Sequence, residues 1–290
     1  MALTINTNLS SMLVQKNMNA STTALNTAIQ RMTTGYRINS AKDDAAGMAV
    51  AIKLDTQLSG YDVASQNVQM GSSMLTTVEE NSNLVLGHLQ RIRDLAEQAA
   101  NGVYDETSKS AISSEINARL QEINRLSGSV EFNGKSLLKA NAAEGSVKIQ
   151  VGINGGADDA IDVSGALYNA APTTLLGATY GATASGGGAI VDAVCGTTAT
   201  CTAAFDAIDD AIDTVKNKMT TLGALQNRLD SASDSIEVAR ANVSSALSTV
   251  RDADVSTESS NYIKAQILQQ AAASLLTTAN QTPSIALNLI

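Results

Sequence analysis

The residues able to do chemistry are few in this chain, and their spacing fits no reactive set. One histidine, His88, lies in an amphipathic helical stretch with no cysteine or serine constellation near it in sequence. Zinc is held by several His or Cys ligands at close spacing, which two cysteines and one distant histidine do not supply. Gly152-Ile153-Asn154-Gly155-Gly156 is rich in glycine. No Lys-Ser/Thr pair follows it and no helix begins there, so it reads as a hairpin turn and not as a phosphate cradle. The carboxylate pairs Asp158-Asp159 and Asp209-Asp210 are adjacent in sequence, diverge on a helix, and read as solvated surface. Catalytic, cofactor-binding and metal-binding residues are therefore read as none, and the chain is not read as an enzyme.

Cys195 and Cys201, with five residues between them, form the disulfide candidate. In an oxidising compartment they would close a small loop, worth about 2 kcal/mol on chain-entropy grounds. In a reducing cytosol they would stay thiols.

The elements around these residues are patterned as long helices. Phe205, Ile208, Ile212, Val215, Met219, Leu222, Leu225 and Leu229, continuing through Ile236, Val243 and Val250, alternate threes and fours, the spacing of a coiled-coil seam. The spacing predicts one helix over about 203–252, roughly 70 Å long at about 1.5 Å per residue. Leu54, Leu58, Tyr61, Ala64, Val68, Leu75 and Val78 keep a similar spacing. Two further amphipathic stretches follow, Val85 to Ala99 and Ile112 to Leu126. Phe132-Asn133-Gly134-Lys135 reads as a turn. Val147 to Ile153 alternates as a half-buried strand, Asn154-Gly155-Gly156 offers positive-φ residues, and Ala160 to Val163 reads as the returning strand. The fold class is mainly α: an elongated antiparallel helical bundle or coiled coil with a small β-hairpin region and paired N- and C-termini.

Composition narrows the function classes. With 2 Pro, no Trp and 3% aromatic residues, the core must be aliphatic and thin. A net charge of -9 without a Lys/Arg run argues against a nucleic-acid surface. No segment approaches the roughly 20 apolar residues of a membrane span. The first eight residues carry no basic n-region and no apolar h-region, so no cleavable secretory signal is read there. In the segment 37–47, Ser40 followed by Asp43 is expected to cap a helix, with Asp43 and Asp44 at its positive end.

Three motifs carry a resemblance to a known family. Residues 33–49, Thr33-Thr34-Gly35-Tyr36-Arg37-Ile38-Asn39-Ser40-Ala41-Lys42-Asp43-Asp44-Ala45-Ala46-Gly47-Met48-Ala49, look like a signature of bacterial flagellin. Leu89 to Asn101 resembles its second helical motif. Ala265-Gln266-Ile267-Leu268-Gln269-Gln270-Ala271 with Ala279-Asn280-Gln281 resembles its C-terminal one. The resemblance covers about 1–155 and 203–290.

It implies a structural subunit that self-assembles into the helical flagellar filament for swimming motility. A hook-filament junction protein is the alternative, and the Ala45-Ala46-Gly47 and Gln269-Gln270-Ala271 segments fit flagellin better. By analogy, 1–43 with 254–290 make an inner-core coiled-coil domain. Residues 44–168 with 203–253 make a rod domain with the β-hairpin, and 169–202 a short variable surface insert. Leu9, Leu13, Leu25 and Ile29, with Ile263, Ile267 and Leu275, form the apolar stripes expected to bury between subunits. Helices with so little to bury are marginal alone, so both ends are expected to be disordered in the monomer.

Further partners follow from the resemblance: flagellar cap and hook-junction proteins, a C-terminal export chaperone, and an animal flagellin-sensing Toll-like receptor. Neither nucleic acid nor membrane is expected, and no cofactor. Arg91, Leu95 and Glu115 are the matching receptor positions. Localisation is extracellular, on the flagellum, by the flagellar secretion system. The insert's Thr173, Thr174, Thr179, Thr183, Ser185, Thr197, Thr198, Thr200 and Thr202 offer hydroxyls for O-linked glycans.

Overall fold

The computed structural model describes residues 7–139, 147–182 and 186–287. Eight α-helices are found there: α1 (Leu9–Thr34), α2 (Ala45–Ala100), α3 (Glu106–Ser129), α4 (Pro172–Leu175), α5 (Gly177–Tyr180), α6 (Gly186–Val194), α7 (Thr198–Arg251) and α8 (Val255–Leu287). Two antiparallel strand pairs complete the set, β1 (Glu131–Phe132) with β2 (Lys135–Ser136) and β3 (Lys148–Gln150) with β4 (Ala160–Asp162). The chain divides into two compact units, residues 1–59 with 241–290, and residues 60–240.

Short polar side chains start the helices by taking up the orphan N–H groups of the first turn. Asn8 accepts from the Ser11 N–H at 3.0 Å, Asp105 from Ser108 at 3.0 Å, and Asp254 from Ser256 at 2.9 Å. The cap of α2 corrects the expectation for Ser40. Asp44 accepts from the Gly47 N–H at 2.9 Å, whereas Asp43 turns back to accept from the Asn39 and Ser40 N–H groups and the Ser40 hydroxyl. Asp43 thus closes the loop before the helix, and three N–H and O–H donors hold its carboxyl below the usual carboxylate range. Gly35 ends α1 in the left-handed region at φ 74°, where its N–H reaches the Arg31 carbonyl.

In the unit of residues 60–240, α2, α3 and α7 share one aliphatic core. Along α7, Ile208, Val215, Leu222, Leu229 and Ile236 recur every seventh residue and are buried. Val68, Leu75, Val78, Val85, Leu89 and Ile92 answer from α2, and Ile116, Leu120 and Ile123 from α3. Polar ties fix the antiparallel register of α2 and α7: Arg240 to Asp62 at 2.6 Å, Gln226 to Glu79 at 2.8 Å, Arg93 to Asp209 at 2.9 Å. Ser82 stands in the apolar seam of α2, and its buried hydroxyl accepts from the Tyr168 O–H at 3.1 Å.

Asn133 at φ 49° and Gly134 at φ 76° make the two-residue turn between β1 and β2. The loop between β3 and β4 is built otherwise than expected, because Asn154, Gly155 and Gly156 do not use positive φ. The Gln150 side-chain amide spans it, donating to the Gly152 and Asn154 carbonyls at 3.0 and 2.7 Å. This hairpin lies on α2, where a Cβ at Gly71 would strike the Ile149 side chain.

The segment 169–202, expected as a surface insert, has an exposed part, residues 195–200, and a part that joins the core. Ala170, Leu176, Ile190, Val191 and Val194 are buried with the rest of the unit, and α6 packs against α3. Its Gly and Ala residues permit close helix approach, a use that composition alone does not separate from loop. Thr183 and Ser185 lie outside the described residues.

Candidate functional site

The terminal helices have an unusual division of side chains. In the unit of residues 1–59 and 241–290, α1 and α8 run antiparallel. Asn8 Nδ2 donates to the Ala279 carbonyl at 2.8 Å, Gln269 Nε2 to Thr22 Oγ1 at 3.1 Å, and Arg31 Nη1 to Glu258 Oε1 at 3.1 Å. The buried apolar residues described between them are small, Ala28 on α1 and Ala265 and Ala272 on α8, and the Glu258 carboxylate is buried beside them. A groove of about 730 Å³ opens along this seam, floored by Ala24, Ala28 and Ala265 and crossed by the Arg31–Glu258 pair.

Val14, Met18, Leu25, Tyr262 and Leu276 are half-buried, and the other large apolar side chains described on the pair stay exposed. Leu9 is 78% exposed, Leu13 59%, Ile263 51%, Ile267 59% and Leu275 57%, and Ile29 is exposed as well. Of the seven predicted stripe residues only Leu25 is half-buried. Scattered exposed leucines need no explanation, whereas a continuous apolar face marks a protein interface.

Beyond α1, residues 35–37 meet 249–253. The Ala253 N–H donates to the Gly35 carbonyl at 2.8 Å and the Arg37 N–H to the Arg251 carbonyl at 2.7 Å. The Arg37 guanidinium donates to the Val250 carbonyl at 2.7 Å, satisfying an orphan carbonyl at the end of α7, and Arg251 stacks 3.9 Å over the Tyr36 ring. Sequence reading missed this clasp and the Arg31–Glu258 pair. The seven-residue spacing of Ala265 and Ala272 was the signal available for the small-residue seam.

The predicted receptor positions separate. Arg91 is exposed and Glu115 half-buried, and they join α2 to α3 at 3.1 Å; the hydrogen bond from Arg91 holds the Glu115 carboxyl below its ordinary range. Leu95 is 1% exposed within the core, so it offers no outer surface. The periodicity contained that outcome, since Leu95 follows Ile92 by three residues. Nearby, burial and then the Arg119 cation push the His88 imidazole down, and Arg119 Nη1 stands 3.5 Å from its Nδ1.

Cys195 and Cys201, the disulfide candidate, stand as free thiols. Cys195 lies just past α6 and directs its Sγ to the Ala99 carbonyl at 3.2 Å, while Cys201 sits in the first turn of α7. Among the described residues no group of three or more His, Cys, Asp or Glu side chains is placed to hold a metal, and no helix is long and apolar enough to cross a membrane.

Comparisons agree with this geometry. Residues 5–143 match the bacterial flagellin N-terminal helical region and residues 205–290 the bacterial flagellin C-terminal helical region. A flagellin of Halalkalibacterium halodurans is 34% identical over 286 residues, which cover 99% of each chain. The B-type flagellin of Pseudomonas aeruginosa is 45% identical over 175 residues, 60% of this chain and 35% of that one, so the match takes in about a third of that relative's length. A solved flagellar hook-associated protein of Vibrio parahaemolyticus aligns with TM-score 0.60 at 17% identity, over 72% of this chain and 100% of that one, a likeness of fold alone.

Proposed function

Since the chain belongs to the bacterial flagellin family and is thereby a structural subunit of the extracellular flagellar filament, we propose that its copies join through the outward apolar faces of α1 and α8. One observation carries this reading. The apolar residues that the two helices bury fully are alanines, and six of the seven stripe leucines and isoleucines stay exposed. Full burial of one such side chain is worth about 1.5–3 kcal/mol. A lateral neighbour would supply that burial, and repetition around a helical lattice would supply it to every subunit. The hook-junction reading is less favoured, since flagellin family regions match both ends of the chain.

Seeded growth tests the proposal. Filaments are dissociated by heat, cooled, given short seeds, and followed by electron microscopy beside the variants Leu13→Lys and Ile267→Lys. Both positions are exposed, so the variants are expected to fold as the parent does and to stop elongating. Elongation at the parent rate would remove these faces from the interface.

The remaining partners rest on family membership and are part of this proposal. The subunit leaves the cell through the flagellar secretion channel, a chaperone covers its C-terminal segment beforehand, and cap and hook-junction proteins bound the filament. The exposed Arg91 and the half-buried Glu115 are the residues offered to an animal Toll-like receptor, without Leu95. A reporter-cell assay in which Arg91→Ala keeps full potency would count against that role.

A further inference from the structure

Three Asn-Gly dipeptides occur in the chain, Asn101-Gly102, Asn133-Gly134 and Asn154-Gly155, and only the first is arranged for reaction with itself. We infer that Asn101 is a site of spontaneous, intramolecular modification: its side-chain amide is attacked by the Gly102 backbone nitrogen and converted to an acid.

The turn between α2 and α3 brings the parts together. Asn101 and Gly102 are both exposed. Asn101 Oδ1 accepts the Val103 N–H at 3.2 Å, so the side chain is folded over the peptide that follows it, which carries the Gly102 nitrogen. The same bond polarises the amide carbonyl and stands where negative charge develops on Oδ1 as the nitrogen adds to Cγ, the logic of an oxyanion donor. Among the described residues no hydrogen bond engages the Gly102 N–H, and the space a Cβ would occupy at Gly102 is open. The main chain on both sides is held, with the Asn101 N–H on the Gln98 carbonyl at 3.2 Å and the Tyr104 N–H on the Asn101 carbonyl at 3.3 Å. The turn therefore keeps the folded-back side chain over its target.

The other two sites lack this arrangement. Asn133 is held at φ 49° in the two-residue turn that joins β1 to β2, and ring closure there would work against the paired strands. At Asn154 the main-chain carbonyl is engaged by the Gln150 amide. No backbone donor reaches either side-chain oxygen among the described hydrogen bonds.

The step balances without an added oxidant or reductant. The Gly102 nitrogen forms a bond to Cγ and gives up its proton, and the Cγ–Nδ2 bond breaks, releasing ammonia and leaving a five-membered succinimide. Water then adds to one of the two ring carbonyls. Opening one way gives an aspartyl residue at position 101; opening the other way routes the main chain through the side-chain carbon as an isoaspartyl link. Either product puts a carboxylate just past the C-terminal end of α2, where the helix dipole disfavours it, and four residues from the Asp105 carboxylate that caps α3. The isoaspartyl form also lengthens the turn. Conversion accumulates with time after synthesis, so it records the age of a subunit.

The experiment follows the purified full chain, folded and in denaturant, at mildly alkaline pH. Samples are digested at intervals, and the three Asn-Gly peptides are measured by mass spectrometry with chromatographic separation of the isoaspartyl products. In the folded chain Asn101 is expected to convert roughly tenfold faster than Asn133 or Asn154, a modest share of the roughly 100-fold credited to one oxyanion donor in an enzyme. In denaturant the three rates should converge. A folded chain in which Asn101 converts no faster than the other two, or more slowly than it does in denaturant, overturns the inference.

Discussion

The Gly187 N–H donates to Asn117 Oδ1 at 2.8 Å, and at this point the backbone of α6 lies directly on α3. A Cβ on Gly187 would strike the Ser113 carbonyl and crowd the Asn117 side chain at about 2.9–3.0 Å. Gly187→Ala is therefore expected to destabilise the unit of residues 60–240 by about 1–3 kcal/mol, the usual cost of overpacking. Denaturant unfolding by circular dichroism measures it. A midpoint equal to the parent's would show that α6 is not held against α3 in solution.

His88 ties stability to pH. Burial first, and then Arg119, disfavour the imidazolium, while Glu122 opposes them more weakly, so the folded pKa lies below the 6.5 of an unperturbed imidazole. Between those two values the unfolded chain binds more protons than the folded one. The contribution of His88 is thus fully present above 6.5 and is lost as pH falls toward the folded value. His88→Gln should flatten the stability profile just below pH 6.5. Glu115 and Asp105 also have lowered pKa values, and their contributions are lost only at lower pH, through the carboxylate range. An unchanged slope in the variant would assign the near-neutral dependence to another group.

The thiol positions predict their own reactivity. Cys195 is exposed and Cys201 is half-buried against the core. Freshly prepared protein should take two alkyl groups without reductant, Cys195 first. Intact mass resolved over time checks both statements. Protein that resists alkylation until reduced would show that the pair is joined.

How much was legible depended on whether a residue's role was local. The seam of α7 could be read because Ile208, Val215, Leu222 and Leu229 meet one partner surface at a fixed period. Asn133-Gly134 announced its turn, since positive φ suits those residue types. Local chemistry also misled. Ser40 and Asp43 fit a capping pattern, yet Asp44 caps α2, because the loop folds back before the helix begins. The helix α6 within 169–202 looked like loop because Gly and Ala carry no periodic apolar mark, and its close approach to α3 depends on Ser113 and Asn117 across the fold. Leu95 showed the reverse: its burial followed from the spacing, and only the family analogy made it a surface candidate. The Arg31–Glu258 pair and the Tyr36–Arg251 stack join residues more than two hundred positions apart. No single-chain period encodes such a meeting.

The terminal pair yields a last prediction. Because the fully buried apolar residues described on α1 and α8 are Ala28, Ala265 and Ala272 alone, the pair gains far less than the core of residues 60–240, and helices of small burial are marginal in water. Local opening follows local stability, and proteolysis reads it. Trypsin should therefore cut the monomer after Lys16, Arg31 and Lys264 well before it cuts after Arg119 or Lys216, leaving a resistant fragment that contains α2, α3 and α7. Assembly buries the outward faces of Leu13 and Ile267 in the proposed filament, so the same three bonds should resist cleavage there. Comparing digestion of monomer and filament by mass spectrometry separates the outcomes. If the terminal sites are as resistant in the monomer as in the filament, the α1–α8 pair is stable by itself and burial against a neighbouring copy does not order it.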